Sequence, residues 1–238
     1  MSPEDQPLKI GSLLFDGLDQ IDLTGPFEVL SRIPNSTYRI YGTSLEPVRD
    51  VKGLQFSPDA TLSEAPQLDL LHIPGGPGQE ALMEDEAVLG WVRRQTAGAK
   101  IVFSVCTGAL ICGAAGLLKE RRATTHWTAK HLLPYFGALP SDERVAVDGN
   151  LVCAAGVTAG IDGALRVAAM LRGEQAAMAI QLYLQYAPEP PFNAGSPETA
   201  PPEIVESVRA AVQNLTTRRE VTARRVAERL GIALPSKA

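Results

Sequence analysis

Along the first 120 residues, short runs of β-branched and aliphatic side chains alternate with longer stretches of helical spacing, the pattern of a parallel sheet whose crossovers are helices. "KIGSLLF" (9–15) predicts the first strand, and "IDLTGPFEVLSRI" (21–33) a helix entered through a turn. "YRIYGTS" (38–44) predicts a second strand. The stretch 48–66 has no helical period and is expected to form a hairpin or edge strands before the buried strand "LDLLHIPGG" (68–76). A helix over about 79–97 would bury Leu82, Val88, Leu89 and Val92. "KIVFSV" (100–105) predicts another buried strand and "TGALICGAAGLL" (107–118) the helix after it, its small residues allowing a close approach to the sheet. "ERVAVDGNLVCAAG" (143–156) predicts a hairpin turning at Asp148-Gly149. Two consecutive helices follow over 157–186, then a proline-rich extended segment (187–203), then a charged helical pair over about 203–232.

Length and composition narrow this picture. A chain of 238 residues with 45% hydrophobic side chains can bury one substantial core. A net charge of −5 gives no general attraction to nucleic acid or to an anionic membrane surface. No apolar run approaches the roughly 20 residues of a membrane helix, and "MSPEDQPLKI" is not a basic stretch followed by an apolar one, so a cytoplasmic location is expected. Cys106, Cys112 and Cys153 are odd in number and lack CxxC or Cys/His ligand spacing. Reduced thiols are therefore expected, with neither a disulfide framework nor a metal.

Cys106 stands where strand gives way to helix in "SVCTG", with small Ser104, Thr107 and Gly108 around it. Strand, sharp turn and helix together make a nucleophile elbow, and a thiol at a helix N-terminus is expected to have a lowered pKa. A small hydrophobe buried in a core is the competing reading. Cys112, in mid-helix, and Cys153, in a strand, are read as core. Asp22 lies between Ile21 and Leu23, where desolvation would raise a carboxyl pKa and make it an acid/base partner; capping a helix is its ordinary alternative. The Gly75-Gly76 turn would let backbone N–H groups approach a reacting centre as an oxyanion-type cradle, or be a plain turn. The glycine spacing is not that of a dinucleotide or phosphate loop. His72 falls in a buried strand and His131 in a helix, whereas His126 could reach a Cys106 pocket or be structural.

Taken in order, "QIDLTGPFEVL", "IPGGPG", "SVCTGAL…GAAGLL", "RRATTHW", "VTAGID" and "YAPEPPFNAGSP" resemble the DJ-1/PfpI superfamily over about residues 8–200. The resemblance implies a flavodoxin-like α/β/α sandwich with a mostly parallel sheet, of the class I glutamine amidotransferase-like kind. The last 38 residues (201–238) would be a helical extension packing on the domain or on a second subunit. Within the superfamily these blocks are most similar to the isocyanide hydratase family, whose members add water to R–N≡C to give an N-substituted formamide. That resemblance implies Cys106 as nucleophile, Asp22 as the essential carboxylate and Thr107 as a hydrogen-bonding neighbour; Gly75, Gly76 and His126, from the reading of the residues themselves, are the candidates for binding substrate. The resemblance also implies a small-molecule isocyanide substrate, no cofactor, and a homodimer. PfpI-type peptidases have histidine after the cysteine, and deglycase-like relatives pair it with glutamate; Thr107 and Asp22 depart from both. A glyoxalase or deglycase is the rival enzyme. "RATTHW" and "SVCTGA" also resemble the amino-terminal domain of AraC-type regulators, which makes a ligand- or redox-sensing module the rival of another class. "EVTARRVAERLGIALPSKA" looks like the opening of a helix-turn-helix, but no complete recognition helix follows, and its arginines read as a solvated, charged face.

Overall fold

The computed structural model describes residues 6–234. Eleven strands and six helices follow in the order β1 (Leu8–Leu13), α1 (Gln20–Leu30), β2 (Ser36–Gly42), β3 (Val48–Arg49), β4 (Gln55–Phe56), β5 (Ala60–Thr61), β6 (Leu70–Ile73), α2 (Gln79–Leu82), α3 (Glu86–Thr96), β7 (Ile101–Val105), α4 (Gly108–Ala114), β8 (Arg122–Ala123), β9 (Leu139–Pro140), β10 (Val145–Asp148), β11 (Leu151–Ala154), α5 (Ala159–Tyr183) and α6 (Pro202–Leu230). A 3₁₀ stretch, Trp127–Phe136, separates β8 from β9. The main sheet has the order β10-β11-β7-β6-β1-β2-β5. It is parallel except for β10, which pairs antiparallel with β11 at one edge.

Strand periodicity divides the core in two. Ile101, Phe103 and Val105 of β7, with Val152 and Ala154 of β11, face one layer built from α1 and α5. Val102 of β7, with Leu151 and Cys153 of β11, faces the other, built from α3, α4, the 3₁₀ stretch and the C-terminal half of α6. This is the expected α/β/α sandwich. The 48–66 stretch makes both of the forms expected for it: an antiparallel pair, β3 with β4, and the edge strand β5. α5 is broken at Gly173 (φ 81°, ψ 162°), where one helix was expected to end and the next to begin.

Two expectations are corrected. The 79–97 helix is two helices, because the Asp85 carboxylate accepts hydrogen bonds from the backbone N–H groups of Ala87 (2.9 Å) and Val88 (3.1 Å) and starts α3 afresh. The charged pair over 203–232 is one helix of 29 residues, ended by Gly231 at φ 64°, so no helix-turn-helix forms over its described part. Thr222, Ala223, Val226 and Ala227 bury one face of it against the body, which keeps the helix in one piece. Residues 1–5 and 235–238, the ends of the two expected domains, lie outside the described residues. No helix among the described residues is long and apolar enough to cross a membrane.

Candidate active site

β6, β7 and β1 end side by side at the carboxyl edge of the sheet, where an open α/β sheet places its ligands. Cys106 follows β7 directly, with φ at +55°. A left-handed backbone costs a non-glycine residue roughly 1–2 kcal/mol and persists only where its surroundings enforce it. Both polar groups of its backbone are pinned here: its N–H donates to Ala154 O (3.0 Å), and the Thr125 hydroxyl donates to its carbonyl (2.7 Å). Gly108, two residues on, is obligatory, because a Cβ there would lie 2.1 Å from Ile73 O. Cys106 is 6% exposed, so the residue is both buried and strained. A core-filling cysteine has no need of the strain. Cys112 and Cys153 are wholly buried and free, as expected of core residues.

Asp22 sits in the first turn of α1 with no solvent exposure. Helix capping falls to Asp19, whose carboxylate accepts from Ile21 N (3.2 Å), which removes the ordinary reading of Asp22. Asp22 Oδ2 accepts from Gly75 N (3.0 Å), while Oδ1 is buried without a hydrogen-bond partner. Burial, assisted by the nearby Asp19 charge, raises its carboxyl to about 7; the Cys106 thiol, the Gly75 N–H and the Arg219 charge oppose the shift. Thr107 Oγ1 accepts from Gly76 N (3.1 Å) and lies 3.3 Å from Gly76 O, to which it donates. Added carbon at Gly75 would come within 2.6 Å of Thr107 N and 2.9 Å of Asp22 Oδ2, so the loop after β6 packs directly on both side chains.

Two chemical expectations are reversed. The N–H groups of Gly75 and Gly76 are already engaged with Asp22 and Thr107, so the turn holds those two side chains and does not offer free oxyanion donors. Cys106, expected to have a lowered pKa, is instead pushed well up, first by burial and then by the Asp22 charge; the Thr107 N–H at the start of α4 and the Arg219 charge work the other way without prevailing. The resting residue is a thiol beside a carboxyl that titrates near neutrality, and the two behave as a coupled pair.

Residues 8–170 match the profile of the DJ-1/PfpI family. The chain belongs to that family. Isonitrile hydratase of Pseudomonas putida is 48% identical over 222 residues, covering 93% of this chain and 97% of that protein. The crystal structure of a ThiJ/PfpI family protein from Pseudomonas syringae is 38% identical, with a TM-score of 0.90 over 93% of this chain and 92% of that one. Drosophila melanogaster DJ-1beta, 21% identical with a TM-score of 0.69, shares the fold; all of it is matched by 77% of this chain.

In this DJ-1/PfpI chain His126 makes no bond to Cys106. Its Nδ1 lies 2.8 Å from Thr128 Oγ1 and caps the 3₁₀ stretch, and burial together with Arg219 lowers the ring to about 4. It lines a cavity of about 730 Å³ together with Thr125, Trp127 and Val157, and Ser196 and Pro197 of the proline-rich segment form part of the wall. His72 is a core residue, its Nδ1 2.6 Å from Ser12 Oγ and its ring stacked on Phe103. Among the described residues no group of three or more His, Cys, Asp or Glu side chains is placed to hold a metal.

Arg219 was missed in the sequence, where it read as part of a solvated face. It is 4% exposed, and its Nη2 donates to Gly76 O (2.8 Å) and Thr107 Oγ1 (3.3 Å). A signal existed: Arg219, Thr222, Ala223, Val226 and Ala227 recur at helical spacing as the buried stripe of α6.

Proposed function

We propose that the protein hydrates isocyanides, R–N≡C plus water giving R–NH–CHO, with Cys106 as nucleophile and Asp22 as the group that moves the proton. The observation that carries this is the strained, buried thiol facing a buried carboxyl held at about 7, with Thr107 where a peptidase would have its base. The Pseudomonas putida relative supports the same reaction.

Asp22, as carboxylate, takes the Cys106 proton while sulfur attacks the terminal isocyanide carbon, and then returns that proton to the same carbon. The product is the thioimidate Cys–S–CH=N–R. Water gives a proton to Asp22 and its hydroxyl to the carbon; the nitrogen receives the proton. The C–S bond of the Cys–S–CH(OH)–NH–R adduct then breaks, the hydroxyl proton returns to sulfur, and the formamide leaves. An acid/base titrating near 7 can both take and give the proton at neutral pH. Thr107 and the Gly75-Gly76 turn hold Asp22 and the elbow in register. The substituent R occupies the cavity beside Thr125, His126 and Trp127, whose volume suits a small molecule. The reading takes the enzyme as a cytoplasmic homodimer, with 201–238 as an extension of the 1–200 domain.

Incubation with an aryl isocyanide, with formamide followed by chromatography, tests this. Turnover by the natural protein and its loss in Cys106→Ser and Asp22→Ala are expected, with no lactate formed from methylglyoxal. Absence of turnover with any isocyanide sinks the function, and an undiminished rate in Cys106→Ser sinks the nucleophile.

A further inference from the structure

Six arginines lie on α6, and Arg209 sits over the Trp127 ring (5.5 Å). Arg218, Arg224, Arg225 and Arg229 lie partly in solvent, and each pairs with a carboxylate: Glu80 (3.9 Å), Glu220 (2.6 Å), Glu84 (2.7 Å) and Glu86 (3.1 Å). Arg219 is buried, has no carboxylate within ion-pair distance among the described residues, and keeps a buried Nε–H without a partner. A buried cation is costly unless something nearby compensates its charge. What it meets directly is neutral: the Gly76 carbonyl and the Thr107 hydroxyl. The charged and titratable groups facing it are Cys106 at the elbow, Asp22 on α1, Glu80 on α2, Arg218 on α6 and His126 before the 3₁₀ stretch. Glu80 is already taken up by the Thr222 hydroxyl (2.7 Å) and Arg218. The remaining anionic counterpart is the Cys106–Asp22 pair.

We infer that Arg219 is a positioning residue of the reaction, delivered by the C-terminal helix to clamp the Gly76 carbonyl and the Thr107 hydroxyl and to hold a positive charge over the Cys106–Asp22 pair while that pair carries a net negative charge. The clamp acts through hydrogen bonds already described. Fixing Gly76 fixes the neighbouring Gly75 N–H, which holds Asp22, and Thr107 receives Arg219 and Gly76 N together. The charge favours the anionic form of both groups, which it draws in the same direction. Arg219 lies beyond residue 170, where the family profile ends, so the extension completes a site that the shared domain only begins.

The inference rests on the catalytic pair named above, and its test has an arm that needs no isocyanide. The rate of Cys106 alkylation by iodoacetamide is measured against pH in the natural protein and in Arg219→Met, Arg219→Gln, Arg219→Lys and Arg225→Met, each checked for folding by circular dichroism. Cys112 and Cys153 are wholly buried while Cys106 keeps 6% exposure, and mass spectrometry assigns the label to Cys106. Loss of the charge in Arg219→Met is expected to move the alkylation midpoint up by about one pH unit, slowing labelling about tenfold at neutral pH. The pH optimum of isocyanide turnover should move in the same direction. Arg219→Gln keeps a donor for Gly76 and should shift equally, which covers the case in which the methionine variant does not fold. Arg219→Lys should restore the midpoint but not the full rate, because a point charge cannot span Gly76 and Thr107 as the fork does. Arg225→Met removes a surface tether of the same helix and should leave the midpoint in place. An unmoved midpoint in folded Arg219→Gln, or an equal shift in Arg225→Met, overturns the inference. Normal alkylation shifts in a protein that turns over no isocyanide would refute the substrate and leave Arg219's role standing.

Discussion

Replacing Asp22 by asparagine should disable the enzyme and stabilise the fold, and the stabilisation should depend on pH in a defined way. A carboxyl moved from 3.8 to about 7 binds its proton more tightly folded than unfolded. Where the folded chain holds more protons than the unfolded one, stability falls as pH rises. The contribution is neutral below about pH 4, where both states are protonated, and becomes steadily less favourable up to about 7, where the native carboxyl at last ionises. At 1.36 kcal/mol per unit, the shift of about three units costs the native state about 2 kcal/mol at pH 5 and about 4 kcal/mol at pH 7. Asparagine keeps an oxygen for the Gly75 N–H and never ionises, so it escapes that cost. Urea unfolding followed by the fluorescence of Trp91 and Trp127 at several values between pH 5 and 8 reads the difference directly. The natural protein should lose about 1.4 kcal/mol per pH unit relative to Asp22→Asn below pH 7, and nothing further above it. A difference that stays constant with pH would refute the reasoning, because it would mean that the carboxyl ionises alike in both states.

Cys106→Ser should lower isocyanide turnover by at least ~10³-fold while leaving the circular dichroism spectrum unchanged, as expected when a nucleophile is lost without loss of fold. Gly75→Ala places a methyl within 2.6 Å of Thr107 N and 2.9 Å of Asp22 Oδ2; overpacking of about 1–3 kcal/mol should appear in denaturant unfolding, with activity down ~10²-fold as the pair is displaced. Trp127→Ala, in the cavity wall, should weaken kcat/KM for an aryl isocyanide about tenfold and leave a small alkyl isocyanide nearly unaffected, measured with the two substrates side by side.

Much of the site could be read from local pattern because its logic is local. Cys106 declares itself by an apolar strand that stops at a cysteine followed by Thr107 and Gly108, and Asp22 by the apolar neighbours that raise its carboxyl. The central strands were legible for the same reason, since two buried faces make β6, β7 and β11 buried along their whole length. What escaped depends on partners distant in the chain. Asp85 starts α3 from between two other acids, where nothing marks it as the cap. The last helix was expected as a pair, but the buried stripe of Arg219, Thr222, Ala223, Val226 and Ala227 holds it in one piece. The direction of the Cys106 shift was misjudged because a helix N-terminus is visible in sequence and the depth of burial is not. Arg219 was hidden among arginines that really are solvated, and only the packing of α6 on the 3₁₀ stretch, which brings Arg219 to the Gly76 carbonyl, separates it from them.

The raised thiol suits the chemistry better than a preformed thiolate would. The terminal carbon of an isocyanide must gain a sulfur and a proton at the same atom, so the site needs a nucleophile and an acid on one side of the substrate. A permanent thiolate beside a permanent carboxylate would have no proton to give. A thiol beside a carboxyl poised near 7 holds one proton between two groups, either of which can carry it. The price of that arrangement is a transient negative charge in a buried site. Arg219 and the N–H at the start of α4 are placed to meet it, both drawing Cys106 toward its anionic form. On this argument the elbow, the glycine turn and the last helix each serve one proton: the elbow presents the sulfur that releases it, the turn holds the carboxyl that receives it, and the helix bears the charge that lets the transfer occur.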